Sequence, residues 1–186
     1  MNIRIMSFKI FTVFILCIFL SYSCNDLEKE IFNHDKVSFI LPKDWKVDKI
    51  DSTDKDFFYM CIDKKGHGAS ADAIIEWNNG SFNLDTVLQS RQIEYLQEDI
   101  FKKGNITFSN VKEDSFGKYE AHVTTFNFKY LEDEHVGKLH CFYVPECDKT
   151  MMVAFHQESD DEEKQKKDFE TIEKSLNCIE INDEDK

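Results

Sequence analysis

The sequence predicts an α+β domain in which an antiparallel β-sheet carries helices on both faces. Several segments alternate apolar and polar residues with the two-residue period of a strand, and some are apolar on both faces. Two other segments place apolar residues at helical spacing behind residues that start helices. Because a sheet that is apolar on both sides must be covered on both sides, the helices are expected to pack against opposite faces.

Three strands are predicted in the first half of the domain. Residues 36–41 alternate apolar and polar side chains and end at Pro42, which has no amide hydrogen for a β-ladder. Trp45 follows in a predicted short turn. Residues 57–62 form a continuous apolar run, which predicts a strand covered on both faces, and residues 71–77 predict the next strand.

A helix is predicted between Asn83 and Gly104. Asn83 has the side chain of a helix N-cap, and Asp85 would lie in the first turn, where a carboxylate stabilises the positive end of the helix dipole. Gly104 is a typical residue for ending a helix. The apolar residues near helical spacing are predicted to form the buried side, and they are Leu84, Val87, Leu88, Ile93, Leu96 and Ile100.

The second half of the domain predicts an antiparallel meander. Residues 106–108 return the chain to the sheet. Three strands then follow one another through short turns, at residues 119–131, 136–144 and 151–157. This succession favours strands that pair with their neighbours in chain order.

A closing helix is predicted after the meander. Ser159 and Glu162 have the spacing of a capping box, in which the hydroxyl and the carboxylate accept from each other's free backbone amides. The acidic residues around them favour a helix start, because negative charge stabilises that end of the helix dipole. The predicted buried stripe is Phe169, Ile172 and Leu176.

The N-terminus resembles the signal peptide of a bacterial lipoprotein, in a form familiar from the Bacteroidota. Arg4 and Lys9 precede an apolar stretch at residues 10–20, which is too short to cross a bilayer, and Cys24 follows small or hydroxylated residues. The resemblance implies cleavage before Cys24 and acylation of its sulfur. An ordinary secretion signal and an uncleaved anchor are the alternatives. The predicted segments are a leader at 1–23, an acidic tether at 24–35, a domain at 36–181 and an acidic tail at 182–186.

The processed chain is strongly acidic. Losing Arg4 and Lys9 with the leader takes 23 basic residues to 21 against 36 acidic ones, a formal charge of −15. Such a charge argues against nucleic acid as a partner, because phosphate binding needs clustered Lys and Arg. The abundance of phenylalanine, 17 residues, argues against a disordered chain.

Four cysteines besides Cys24 remain after processing, and they are Cys61, Cys141, Cys147 and Cys178. Four cysteines allow three pairings, and the sequence does not choose among them. Pairing Cys141 with Cys147 is disfavoured, because the chain between them is predicted to be extended. Buried free thiols are the preferred interpretation over a disulfide.

Residues 39–45 resemble the opening motif of the PsbP-like domains. The letters FILPKDW match the pattern F-x-L-P-x-x-W, and FGKYEA at 116–121 resembles a second family feature, a turn glycine before a long strand. The closing helix at 164–177 also matches, so the resemblance covers about residues 36–181. It implies an antiparallel sheet with helices on both faces. It implies no reaction, because members bind different partners and share no catalytic apparatus.

The sequence contains none of the common catalytic signatures, such as a nucleophile elbow, a phosphate loop or an HExxH zinc motif. His140 and His156 are the candidate metal pair, since a turn at 145–150 would bring their strands side by side. No third ligand suggests itself. Trp45 and Trp77 are predicted to be core residues rather than stacking platforms.

These observations predict a lipid-anchored, non-enzymatic binding or accessory protein of the outer membrane, facing the periplasm or the cell surface. Its expected partners are the membrane, through Cys24, and an envelope protein; no cofactor is predicted. One alternative is an immunity or chaperone-like lipoprotein that neutralises a basic toxin. The other is a metal-binding or enzymatic domain that uses His140 and His156.

Overall fold

The computed structural model describes residues 30–65 and 71–179. The predicted leader, the lipidation site Cys24, most of the predicted tether and the acidic tail lie outside the described residues. The strands are β1 (Ile31–His34), β2 (Val37–Ile40), β3 (Trp45–Asp51), β4 (Phe57–Lys64), β5 (Ala71–Asn79), β6 (Thr107–Phe108), β7 (Lys112–Phe116), β8 (Tyr119–Tyr130), β9 (Asp133–Val144), β10 (Lys149–Glu158) and β11 (Asn177–Cys178). The helices are α1 (Leu84–Gln97), α2 (Asp99–Lys103), a 3-10 turn (Ser159–Asp161) and α3 (Glu162–Ser175). No helix of this described part is long and apolar enough to span a bilayer.

Eight of the described strands form one antiparallel sheet. Its order is β3-β4-β5-β10-β9-β8-β6, and β7 also pairs with β8. Strands β8, β9 and β10 pair in chain order, so the predicted meander is confirmed. The β7–β8 hairpin turns at Gly117, whose φ of 58° favours glycine, as the predicted turn glycine requires. A smaller sheet of order β1-β2-β11 lies beside the main one.

Two apolar cores cover the two faces of the main sheet. On one face, α3 contributes Phe169 and Ile172 to a core shared with Val153 of β10. On the other face, α1 contributes Leu88 to a core shared with Ala154, the next residue of β10. Neighbouring residues of a strand point to opposite faces, so the helices lie on opposite sides of the sheet. The predicted α+β fold, with helices on both faces, is confirmed.

The buried side of α1 differs from the prediction. Asn83 does cap the helix, accepting from the Thr86 amide at 2.9 Å, but the helix ends at Gln97 and α2 follows before Gly104. Leu88 and Tyr95 are buried, whereas Ile93, Leu96 and Ile100 are exposed. The reason is that apolar residues occur on two sides of this helix, and the side that faces the sheet contains positions 88 and 95.

Three local predictions were wrong. Residues 31–34 of the predicted tether form β1, and Trp45 begins β3 instead of lying in a turn. In β4 only alternate residues, such as Phe58 and Met60, are fully buried, and the residues between them are half-buried.

The capping box at the start of α3 is also absent. The Ser159 hydroxyl donates to the Glu134 carbonyl at 3.0 Å, and residues 159–161 form a 3-10 turn before the helix starts at Glu162. The hydroxyl therefore ties the helix entry to the β8–β9 turn region instead of capping a backbone amide of the helix. The acidic first turn, with Glu162 and Glu163, matches the prediction, and so does the buried stripe of Phe169, Ile172 and Leu176.

Cys147 and Cys178 form a disulfide, so the preference for free thiols was wrong for these two residues. The bond joins the β9–β10 turn to β11 of the small sheet. Cys61 and Cys141 are free, as expected. The pairing could not be predicted because β11 is only two residues long and has no strand pattern of its own.

Gly137 of β9 is expected to tolerate no side chain. A Cβ atom there would clash with Cζ of Phe126, which faces it across the β8–β9 pair. We expect Gly137→Ala to lower the free energy of unfolding by about 2–3 kcal/mol, the cost of overpacking a core. Urea denaturation measures this loss. Adding Phe126→Leu should return part of it, and a single variant as stable as the wild type would contradict the contact.

Candidate binding cleft

A cleft lies between α3 and the ends of β8, β9 and β10, and we call it the α3 cleft. Its volume is about 500 Å³. Its floor includes His140 and Gln157 on the strands, and Phe155 and Phe169 form its apolar part. The two phenylalanine rings stack with their centroids 4.4 Å apart, which fixes the inner end of the cleft.

The composition of α3 explains why the sheet stays uncovered here. The apolar residues Phe169 and Ile172 lie in the second half of the helix, where they pack on the core. In the first half, the buried residue is Gln165, which accepts from Nζ of Lys64 at 2.7 Å on the β4 side. No large apolar side chain of this half reaches toward β8 and β9, so a space remains between the helix and the sheet.

His140, one of the strand residues that line the α3 cleft, is a neutral histidine. It is 2% exposed, and its ring packs edge-on against Phe116 at 5.1 Å. Burial, assisted by the nearby positive charge of Lys138, lowers the pKa of His140 to about 3. Its Nδ1 atom is buried without a hydrogen-bond partner among the described residues. A neutral imidazole still has one nitrogen lone pair with which to accept a hydrogen bond.

Gln157 supplies a second unpaired acceptor in the same cleft. It lies on β10, on the same face of the sheet as Phe155, and its Oε1 atom is buried with no partner in the described part of the chain. Leaving a buried polar group unpaired costs about 1–3 kcal/mol. A bound molecule with a hydrogen-bond donor would recover part of this cost at each of the two atoms.

Charged side chains surround the opening. They are two lysines and four glutamates, a formal charge of −2, and they are Lys138, Lys166, Glu162, Glu163, Glu170 and Glu173. Some are already paired: Lys138 with Asp114 at 3.3 Å, and Glu170 with Lys174 at 2.6 Å. The net charge disfavours an anionic ligand and favours an uncharged or cationic one.

The candidate metal pair of His140 and His156 is not formed. His140 is opposite Val153, and His156 is opposite Gly137. The two histidines are therefore offset by three positions along the strands, an odd offset, and they face opposite sides of the sheet. One ion therefore cannot contact both rings. Across the described ranges, no three His, Cys, Asp or Glu side chains are arranged to hold a metal.

His156 has other partners, on the α1 face. Its Nε2 atom is 3.0 Å from Nδ1 of His135, and its Nδ1 atom is 3.1 Å from Oδ2 of Asp72. The pKa of His135 is lowered, first by burial and then by the neighbouring His156. In each of these contacts one atom donates and the other accepts, so the network orients the two rings.

Trp45 and Trp77 are core residues, as predicted. Trp77 stacks on Phe58 with a centroid distance of 3.8 Å. The indole nitrogen of Trp45 donates to Oδ2 of Asp168 at 3.0 Å, which fixes α3 to the edge of the sheet. Neither ring lies at the opening of the α3 cleft.

Sequence reasoning selected His140 but missed Gln157 and the glutamates of α3. One signal was available: Gln157 follows Met151, Val153 and Phe155 at the two-residue period of a buried strand face. A polar residue at such a core position is a departure from strand patterning that points to a polar partner or a site.

Comparison with known protein families and with curated proteins finds no sequence match. Solved structures do match. The cyanobacterial PsbP protein of Synechocystis aligns with a TM-score of 0.56 at 9% identity, over 84% of this chain and 98% of that one. LpqN of Mycobacterium tuberculosis, described as involved in cell envelope biogenesis, aligns with a TM-score of 0.50 at 10% identity, over 84% and 88%. A protein of Bacteroides thetaiotaomicron aligns with a TM-score of 0.52 at 13% identity. The alignment covers 83% of this chain and 50% of the Bacteroides protein.

At these identities the matches show the fold alone. They confirm the fold that the resemblance in residues 39–45 implied. The chain is an α+β protein of PsbP-like fold, with a cleft of mixed apolar and polar lining under its last helix.

Proposed function

We propose that this chain is a lipid-anchored, non-enzymatic binding protein of the bacterial cell envelope, which holds a small ligand in the α3 cleft. The observation that carries the proposal is a pair of buried polar atoms with no hydrogen-bond partner among the described residues, His140 Nδ1 and Gln157 Oε1, on residues that line the cleft with Phe155 and Phe169. An apolar pocket with a few convergent polar groups is the usual form of a small-molecule site.

Two observations support an envelope location. The Cys147–Cys178 disulfide suits an oxidising compartment outside the cytoplasm. One of the proteins of similar fold, LpqN, is described as involved in cell envelope biogenesis. With the lipoprotein-like leader, these support an anchor at Cys24 in the outer membrane of a Bacteroidota-like cell, facing the periplasm or the surface. Two or more acyl chains would make such an anchor lasting.

The chemistry of the ligand follows from the lining. Phe155 and Phe169 favour an apolar body, the two acceptors favour a hydrogen-bond donor, and the formal charge of −2 at the opening disfavours a carboxylate or phosphate. We therefore propose an uncharged molecule with an apolar body and at least one donor group.

The state of His140 supports binding rather than catalysis. A general base works best with a pKa near the working pH, whereas burial lowers the pKa of His140 to about 3. The side chains of the described cleft thus favour a binding role.

The test uses the chain from residue 24 onward, carrying Cys24→Ser so that no detergent is needed. NMR titration with 1-decanol should shift the amide signals of the α3 cleft, while decanoate, its anionic counterpart, should bind more weakly. Gln157→Leu should lower the affinity for 1-decanol about threefold to tenfold, the worth of one neutral hydrogen bond.

Gln92→Leu is the matched control. The Gln92 side chain bonds to Thr124 at 3.3 Å, away from the α3 cleft, so its loss should leave the affinity for 1-decanol unchanged. Equal affinities for the alcohol and the carboxylate, or an unchanged affinity in Gln157→Leu, would contradict the proposed ligand chemistry.

A further inference from the structure

A second cleft lies on the opposite face of the main sheet, between α1 and strands β4, β5 and β10, and we call it the α1 cleft. Its volume is about 350 Å³. Its walls combine the apolar side chains of Phe57, Phe82 and Met152 with the ionisable side chains of Glu76 and Arg91. It shares no lining residue with the α3 cleft.

Glu76 is a carboxylate with one oxygen paired and the other unpaired. It is 4% exposed, in the middle of β5. Oε2 pairs with Nη2 of Arg91, while Oε1 is buried and has no hydrogen-bond partner among the described residues. A buried carboxylate normally has both oxygens bonded, so Oε1 is an unfilled acceptor on a residue that lines the cleft.

Arg91 does not neutralise the site by itself. Its Nη1 atom pairs with Glu94 at 2.8 Å, so one guanidinium serves two carboxylates and the three groups sum to a formal charge of −1. Glu98 adds a further negative influence from the end of α1. A cationic group placed at Oε1 would therefore complete both the hydrogen bonding and the charge of the site.

The remaining titratable groups that face Glu76 do not supply that charge. Tyr59 pairs with Glu76 across β4 and β5, and Tyr95 faces it from α1. Burial raises the pKa of Tyr59 to about 12 and also raises that of Tyr95, so both phenols are neutral. Burial likewise raises the pKa of the Glu76 carboxyl to about 7, against the opposing effect of Arg91.

The aromatic walls suit a cation that carries hydrocarbon. Phe82 lies at the mouth with 51% of its surface exposed, and Phe57 is half-buried on β4. An exposed aromatic ring attracts organic cations through its π face and packs against their carbon atoms. Phe82 is held in place by its own amide, which donates to Oγ1 of Thr150 at 2.9 Å.

We propose that the α1 cleft is a second binding site, specific for a small organic cation. The ammonium group donates to Oε1 of Glu76, and the hydrocarbon part lies against Phe57 and Phe82. This site is independent of the ligand proposed for the α3 cleft.

Binding of a cation is linked to release of a proton. The ammonium group requires the ionised form of Glu76, and in the free protein this carboxyl is half protonated near pH 7. The apparent affinity should therefore rise about tenfold between pH 6 and pH 8, as the proton ceases to compete. A neutral ligand that accepts from protonated Glu76 would show the opposite dependence.

The experiment compares 2-phenylethylamine with 2-phenylethanol, which has nearly the same shape but no charge. NMR titration of the full mature chain carrying Cys24→Ser should show the amine shifting signals of the α1 cleft, with affinity rising with pH. Glu76→Gln should weaken binding of the amine about tenfold or more, since hydrogen bonds to charged groups are the strong ones. Phe82→Ala, at an exposed position, should weaken it about threefold without affecting the fold.

Gln92→Leu, at a residue that lines neither cleft, is the matched control and should leave amine binding unchanged. Three results would each overturn the proposal: equal binding of the amine and the alcohol, an affinity that rises as the pH falls, or an unchanged amine affinity in both Glu76→Gln and Phe82→Ala. Failure of decanol binding in the α3 cleft would have no bearing on these outcomes.

Discussion

Lowering the pH from 6.5 to 3 is expected to remove about 4 kcal/mol of the free energy of unfolding through His140 alone. Burial holds the pKa of His140 at about 3 in the folded protein, against 6.5 for an ordinary histidine. The unfolded chain therefore takes up the proton first. The contribution of His140 to stability is complete above pH 6.5 and is lost progressively as the pH falls toward 3, at about 1.4 kcal/mol per pH unit.

Glu76 acts in the opposite direction over part of this range. Its folded pKa of about 7 lies above the ordinary value of 4.5, so the folded protein holds its proton longer. Ionisation of Glu76 therefore costs stability as the pH rises from 4.5 to 7, by about 3 kcal/mol in all. Between pH 4.5 and 6.5 the two contributions oppose each other, so these two groups together give the wild type a nearly flat stability profile there.

Two variants separate the contributions in urea denaturation from pH 3 to pH 8. His140→Leu should remove the acid-sensitive contribution, so its stability relative to the wild type should improve by about 1.4 kcal/mol for each unit below pH 6.5. Glu76→Gln should have the opposite effect and make the loss of stability between pH 6.5 and 4.5 steeper. A constant difference between His140→Leu and the wild type at every pH would contradict the neutral, buried state of His140.

Removing the Cys147–Cys178 disulfide is expected to lower the free energy of unfolding by about 3–4 kcal/mol. The bond spans a sequence separation of 31 residues, which include β10 and α3, and its loss gives the unfolded chain the entropy of an open loop. Denaturation of the double variant Cys147→Ala, Cys178→Ala measures the effect.

Reduction with dithiothreitol provides the control for this prediction. It should destabilise the wild type to about the level of the double variant and leave the double variant unchanged, because Cys61 and Cys141 are already free. Equal stability of the wild type with and without reductant would mean that the bond is not formed or does not constrain the chain.

The long strands and the placement of helices on both faces of the sheet were predictable because many residues contribute to each pattern. Strands β8, β9 and β10 are ten or twelve residues long, and their periodicity outweighs local exceptions. Strands β1, β7 and β11 were missed for the converse reason. They are two to five residues long and mostly exposed, so pairing with a neighbour, rather than their own pattern, defines them.

The arrangement of the candidate site was not predictable from the sequence. His140 was singled out correctly as a residue of interest, but its proposed partner His156 lies on the other face of the sheet. Which face a residue occupies depends on the register set by the turn at residues 145–148, and a shift of one residue reverses it. The α3 cleft itself depends on where the apolar residues of α3 pack, which no local motif encodes.

The intact mass of the protein extracted from the membranes of its own cells tests the central proposal most directly. The proposal of a lipid-anchored envelope protein predicts a chain that begins at Cys24, carries acyl groups on that residue and retains the Cys147–Cys178 bond. A chain that still carries residues 1–23, or one that begins at Cys24 with an unmodified thiol, would contradict it.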